Sequence, residues 1–298
     1  MFSFTHEQKV FRIGDISIGG QPGKHSTVLF GGVFFKGTPH LEKAKQNLDH
    51  MLALSRSTTL PAIPDFFFRN EKHIPFIIDF ISSQLPSHHP FSVDIIDSHL
   101  KPQVLNHLAK HDLLHRTIYN SIHIGITEKE RKTLHKYPPA MAIILAFNPK
   151  DNSPDGRLEI LENSAHLLNK GLLEISRDAG IEKILIDTAA MAPGENSGSA
   201  IAAIPVIKEE YGLPVGCAIH NVVEKSYWLT SFKKSIVDAS SNTLIPLFGG
   251  DFVIYGPLNL SSSVFPVIAW EDILISEYVE NYFGVQPCNN HPRKRFFP

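Results

Sequence analysis

Eight short apolar runs, spaced along 298 residues and separated by helical segments, constrain this chain more than any other feature. They are Thr27–Phe34, Ala62–Phe67, Phe91–Ile96, Arg116–Ile122, Met141–Phe147, Lys183–Ala189, Pro214–His220 and Asp251–Tyr255. Most are continuous, not alternating, which is how strands buried on both faces of a parallel sheet read. Apolar stripes of helical period lie between them, at Leu41–Ser55, Ile74–Leu85, Pro102–His111, Glu128–Lys136, Ser164–Ala179, Ile201–Tyr211, Val222–Ala239 and Glu271–Phe283. Thr127 with Glu130 reads as a capping box, and Gly180 as a helix stop. Eight strands alternating with helices predict an α/β fold, a (β/α)8 TIM barrel. A doubly wound open sheet fits less well, because Gly31-Gly32 is followed by no G-x-G-x-x-G. Phe11–Gly23 reads as a short N-terminal β-hairpin turning at Gly14-Asp15 and laid across the barrel's bottom. Residues 1–286 are read as a single barrel with its hairpin, and 287–298 as an extended tail.

Composition closes off several function classes. With 28 Lys+Arg against 30 Asp+Glu, the balanced charge argues against a nucleic-acid binder, which would need a basic face. Cys217 and Cys288 cannot make a disulfide framework and suit a reducing compartment. Apolar stretches such as Ala140–Phe147 fall far short of the ~20 residues of a membrane helix. The opening MFSFTHEQKV shows no apolar signal core, so a cytoplasmic protein is expected. The 16 histidines are scattered without ligand spacing, and no protein-bound metal is expected.

In such a barrel, chemistry gathers at the C-terminal ends of the strands. The third run supplies Asp94, the fourth Asn120 and Ser121, the fifth Asn148, the sixth Asp187 and Thr188, and the seventh His220 and Asn221. The strand runs contain no lysine at an interior or C-terminal position for a Schiff base, and His220 stands alone with Cys217. Fixed carboxylates and amides instead suit the edge of a flat heterocycle. A carboxylate accepts two parallel N–H bonds, and Asn both donates and accepts. A pterin presents such an edge. Helix capping would explain any one of these residues singly, and Asp97 and Asp151 are left to it. Asp65 is divided evenly between the two roles, and Asp251, opening the eighth run, belongs to the bottom. Small residues at Met191–Ala200 suit an anion nest or a flexible lid.

The stretches Ile18–Gly23 (IGGQPG), Arg116–Ile122 (RTIYNSI), Ala146–Pro149 (AFNP), Gly171–Lys183 (GLLEISRDAGIEK), Ile186–Ala190 (IDTAA), Gly212–Asn221 (GLPVGCAIHN) and Gly250–Pro257 (GDFVIYGP) carry a resemblance. The chain resembles the family of the H subunit of tetrahydromethanopterin S-methyltransferase, within the pterin-binding, corrinoid-linked methyltransferases. That resemblance implies a barrel of the pterin-binding type. It implies transfer of a methyl group between N5 of a reduced tetrahydropterin, tetrahydromethanopterin or tetrahydrofolate, and the cobalt of a corrinoid on a partner protein. By position, Asp94, Asn120 and Asp187 correspond to residues that hold the pterin ring, with Asn148 a further contact. Asn221 corresponds to the catalytic Asn near N5, and His220 could assist it. A homodimer is implied, and membrane association only through other subunits. The sequence departs from the family at Lys36–Leu41, a shorter loop, and at the aromatic Asp65–Phe68.

Two other readings stay open. A non-catalytic pterin-barrel subunit that docks partners would suit the aromatic end of the second run and the basic Arg293, Lys294 and Arg295. A pterin-condensing enzyme of the dihydropteroate synthase type fits poorly. It needs a base near the seventh strand end, where the nearest is Lys225.

Overall fold

The computed structural model describes residues 2–35, 41–231 and 233–297. Residues 36–40, in the connection that the sequence reading takes as shorter, lie outside them. Two antiparallel strands, β1 (Val10–Ile13) and β2 (Ile16–Gly19), form the expected hairpin, with Gly14 at φ +54° in its turn. Eight parallel strands follow: β3 (Val28–Val33), β4 (Ala62–Phe67), β5 (Phe91–Asp94), β6 (Thr117–Ile122), β7 (Met141–Leu145), β8 (Ile184–Asp187), β9 (Val215–Cys217) and β10 (Phe252–Pro257). They pair in chain order, and β10 closes on β3 to complete a barrel. The helices are α1 (Leu41–Thr58), α2 (Ile74–Gln84), α3 (Lys101–Lys110), α4 (Glu128–Lys136), α5 (Pro154–Asn163) and α6 (Leu172–Asp178). Beyond them lie α7 (Ser197–Tyr211), α8 (His220–Lys225), α9 (Lys234–Asn242), α10 (Leu244–Leu247), α11 (Ser261–Phe283) and α12 (Pro292–Phe296).

Strand alternation divides the core in two. Val28, Phe30, Ile63, Ile118, Met141, Ile143, Leu185 and Phe252 point into the barrel and pack on Ile13, Ile16 and Ile18 of the hairpin. Their neighbours, such as Leu29, Ala62, Val93, Tyr119, Ile144, Ile186 and Val253, point outward under the helices. The hairpin therefore plugs the lower end. Asp251 does lie at the bottom, bonded to the buried Lys208 at 2.6 Å.

The elements correct the sequence reading at four places. The helix expected over Ser164–Ala179 is broken, because Ser164, Ala165 and His166 all take positive φ and only Leu172–Asp178 is α-helical. Pro154–Asn163 forms a helix instead, capped by Ser153 through Gly156 N–H. The last barrel helix begins at Ser261, and by length and composition it could cross a membrane. Here Val264, Phe265 and Ile268 are buried against the barrel, so it serves as a core helix. The C-terminal tail is not extended. His291 is fully buried, Arg295 donates to the Arg56 carbonyl, and Lys294 faces Glu280 at 3.8 Å. The basic residues thus pin α12 to the barrel.

Candidate active site

The same alternation that fills the barrel sets its mouth. Asp65 lies two residues beyond Ile63, Asn120 two beyond Ile118, and Asp187 two beyond Leu185, so each points inward above an apolar layer. Asp94 ends β5 in register with Asn120 on one side and Phe67 on the other. Three carboxylates and one amide share the opening.

Asn120 Nδ2 donates to Asp65 Oδ2 at 3.1 Å, and Ala189 N–H donates to Asp187 Oδ1 at 2.8 Å. The Asp94 carboxylate and the Asn120 carbonyl have no protein hydrogen bond among the described residues, and Asp65 Oδ1 is buried without one. These acceptors sit at neighbouring strand ends, close enough that the Asp65 and Asp187 charges both act on Asp94. Burial pushes the Asp187 carboxyl up to about 6, against that backbone bond and the Arg157 charge. Burial likewise pushes Asp65 up to about 6, with the Ser92 hydroxyl and the Asn120 amide opposing it. Burial and the neighbouring carboxylates Asp65 and Asp187 hold Asp94 well above the ordinary range, with Lys101 opposing them.

Two buried cations support this acidic set from behind. Lys101 donates to the Ser121 carbonyl at 2.8 Å and to Glu130 at 3.1 Å, anchoring the residue after Asn120. Tyr119 donates to the same Glu130 oxygen at 2.8 Å. The Glu130 side chain is thereby drawn inward, while its backbone N–H donates to the Thr127 cap. Arg157 donates to the Thr188 carbonyl at 2.6 Å and to Ser199 at 3.2 Å, tying the segment after β8 to α5 and α7.

Not every expected residue joins the set. Asn148 is buried, with its amide donating to the Gly156 carbonyl at 2.9 Å and its oxygen accepting Lys150 N–H at 2.9 Å. It organises its own loop through these bonds. His220 and Asn221 are not at a strand end. β9 stops at Cys217, and both residues open α8. The Asn221 side chain is exposed and has no protein partner among the described residues. Asp97 and Asp151 cap backbone N–H groups, as expected. Burial raises the Cys217 thiol to about 12, which makes it a poor nucleophile. Asp65 is the residue the sequence leaves undecided. Its signal is the two-residue step from Ile63, legible once that side chain is known to face inward.

Exposed apolar side chains stand on connections beyond the strand ends. Phe34 stacks on Phe67 at 5.4 Å between centroids. Ile96, Tyr227 and Trp228 stand 73%, 85% and 60% exposed on the connections after β5 and β9.

Comparison with known proteins bears on the family and the fold. The family model described as Tetrahydromethanopterin S-methyltransferase MtrH subunit matches residues 6–288. The chain is 33% identical to the H subunit of tetrahydromethanopterin S-methyltransferase from Methanothermobacter thermautotrophicus, over 98% of each chain. It is 34% identical to the H subunit of the putative methyltransferase mtx from Methanosarcina mazei, again over 98% of each. Among solved structures it is similar to the dihydropteroate synthase of Yersinia pestis, with TM-score 0.62 and 12% identity, covering 90% of this chain and 100% of that one. The dihydropteroate synthase of Xanthomonas albilineans gives TM-score 0.60 at 15% identity, covering 90% and 99%. At such identities these structures speak for the fold alone.

Proposed function

The chain belongs to the family of the tetrahydromethanopterin S-methyltransferase MtrH subunit, and from that premise we propose that its barrel mouth binds a reduced tetrahydropterin and hands its N5 methyl group to a corrinoid carried by a partner protein. A methyltransferase of this family needs a site that grips the pterin and leaves the methyl group accessible. The observation that carries the reading is the inward layer Asp65, Asp94, Asn120 and Asp187, whose free acceptors match the ring N–H and exocyclic amine of a pterin. The carboxylates accept these donors, while Asn120 offers its carbonyl. The ring contacts orient the substrate.

N5 of a tertiary amine is a poor leaving group. It leaves more readily when a hydrogen bond to it strengthens as the C–N bond breaks. The exposed Asn221 amide, on the first turn of α8, is the proposed donor near N5. The corrinoid is a substrate that must approach this opening. The exposed apolar side chains of Phe34, Ile96, Tyr227 and Trp228 support a partner that covers the mouth during transfer. We further propose that the protein acts as a homodimer, which sedimentation of the purified chain tests.

Methyl transfer from each methyltetrahydropterin to free cob(I)alamin tests the reading. Wild-type protein transfers the methyl group, and Asn221→Ala lowers kcat by about 10- to 100-fold while the pterin Kd stays within about threefold. Pterin binding without transfer to any corrinoid would instead support a non-catalytic role in docking partners.

A further inference from the structure

Apart from the carboxylate set, on the elements that follow β9, sits a second constellation. His220 opens α8, and its Nδ1 lies 2.9 Å from Asp238 Oδ1 on α9. Asp238 is 3% exposed, its other oxygen is buried without a partner, and Asn242 fastens its backbone carbonyl at 3.0 Å. A carboxylate only accepts, so the Nδ1 proton belongs to this bond. Nε2 is then the nitrogen left to exchange a proton.

The ring is seated against the upper end of β10 by a missing side chain. Gly256 lies two residues beyond the inward-facing Ile254, near the upper end of β10. A Cβ there would stand 2.4 Å from His220 Cδ2 and 2.6 Å from Nε2. The backbone takes φ +88° at this glycine, and the register of β10 against β3 shifts between Ile254 and Pro257. Such irregularities re-aim strand ends beside functional sites. Here the shift clears a seat for the imidazole edge that carries Nε2. The side chain keeps 14% exposure, so the ring is lodged but not sealed from solvent.

We propose that His220, held by Asp238, is the proton-transfer residue of this site, exchanging a proton between Nε2 and the pterin N5. The proposal rests on the pterin reading above. In the direction of demethylation, the electron pair of the C–N bond stays on N5, which takes the proton from Nε2. The methyl group leaves to the cobalt of the corrinoid, whose electron pair forms the new bond. Solvent then returns a proton to Nε2. In reverse, Nε2 removes the N5 proton as nitrogen attacks the methyl group. Asp238 touches no substrate and acts by positioning the ring in one tautomer. Asn221 supplies a hydrogen bond but cannot carry a proton, so the two neighbours have separate tasks.

Three measurements on the full chain test this: transfer of methyl from a methyltetrahydropterin to free cob(I)alamin, calorimetric pterin binding, and ¹⁵N NMR of the His220 ring. Expected for His220→Gln is a kcat about 10²- to 10⁴-fold lower with pterin Kd within about threefold. For Asp238→Ala, kcat falls at least about tenfold, and the neutral His220 ring loses its preference for the Nδ1 proton. Transfer by His220→Gln at the wild-type rate would overturn the proposal, as would a wild-type neutral ring protonated at Nε2. A parallel loss of pterin binding in His220→Gln would also overturn it, marking a binding residue. Failure of wild-type protein to bind or transfer either pterin removes the underlying reading, and this inference with it.

Discussion

At the scale of single residues, the mouth is an electrostatic arrangement that the ligand completes. Asp65 and Asp187 are buried with few donors, and each carboxyl rises to about 6. Because the folded pKa values exceed the unfolded ones, the folded chain holds extra protons between about pH 4 and pH 6. The stability they lend is full below that window and lost as pH rises through it. Asp187→Asn should therefore shrink the difference in urea midpoint between pH 4.5 and pH 7.5, by the equivalent of about 1–3 kcal/mol. A ligand offering N–H donors selects the ionised carboxylates. Pterin affinity should then rise from pH 5 to pH 7, and binding at pH 5.5 should release protons, read by calorimetry in buffers of differing ionisation enthalpy. Gly256→Ala tests the seat of His220. The added Cβ meets the ring, and transfer should fall at least about tenfold with pterin binding retained. Three of the four mouth residues are legible in the sequence because strand ends are legible. Asp65 needs the inward phase of its strand, and the loop bonds of Asn148 are not legible, because a loop-organising amide and a ligand-reading amide look alike in sequence.

Elements explain where the sequence reading succeeds and where it fails. Ala62–Phe67 and Glu128–Lys136 have the bounds that their residues imply, because a buried apolar run and a Thr127 cap are local signals. β9 is only three residues long, since Gly216 lies against Phe252 and the chain turns at Ala218 into α8. That early turn is invisible in GLPVGCAIHN, yet it moves His220 from strand end to helix start. α5 escapes the sequence reading because Pro154 and Gly156 read as a loop, and the helix depends on the Ser153 cap. α11 looks ten residues shorter in sequence because Pro266 and three serines interrupt its apolar pattern. The β1–β2 hairpin is legible from its alternation, and its energetic role can be measured. Ile18 is fully buried beneath the barrel's apolar layer. Ile18→Ala should cost about 2–5 kcal/mol in chemical denaturation while leaving the pterin Kd unchanged, because the plug and the mouth lie at opposite ends.

For the whole molecule, closure of eight strands over a plugged lower end puts the acidic set at the upper end. The fold is legible in full as a class, because continuous apolar runs at regular spacing have few other solutions. The docked tail is not, because Cys288 finds its contacts with His25 and Lys24 only after both chain ends meet at the bottom. Unused acceptors at the strand ends, with exposed apolar side chains on connections beyond them, are consistent with one bound heterocycle and a covering partner. Calorimetric titration of the purified chain with methyltetrahydrofolate and methyltetrahydromethanopterin, beside Asp187→Ala, tests that claim most directly. Binding of one pterin at one site per chain, lost in Asp187→Ala, is the predicted result. Absence of binding by both pterins, or binding undiminished in Asp187→Ala, would contradict it.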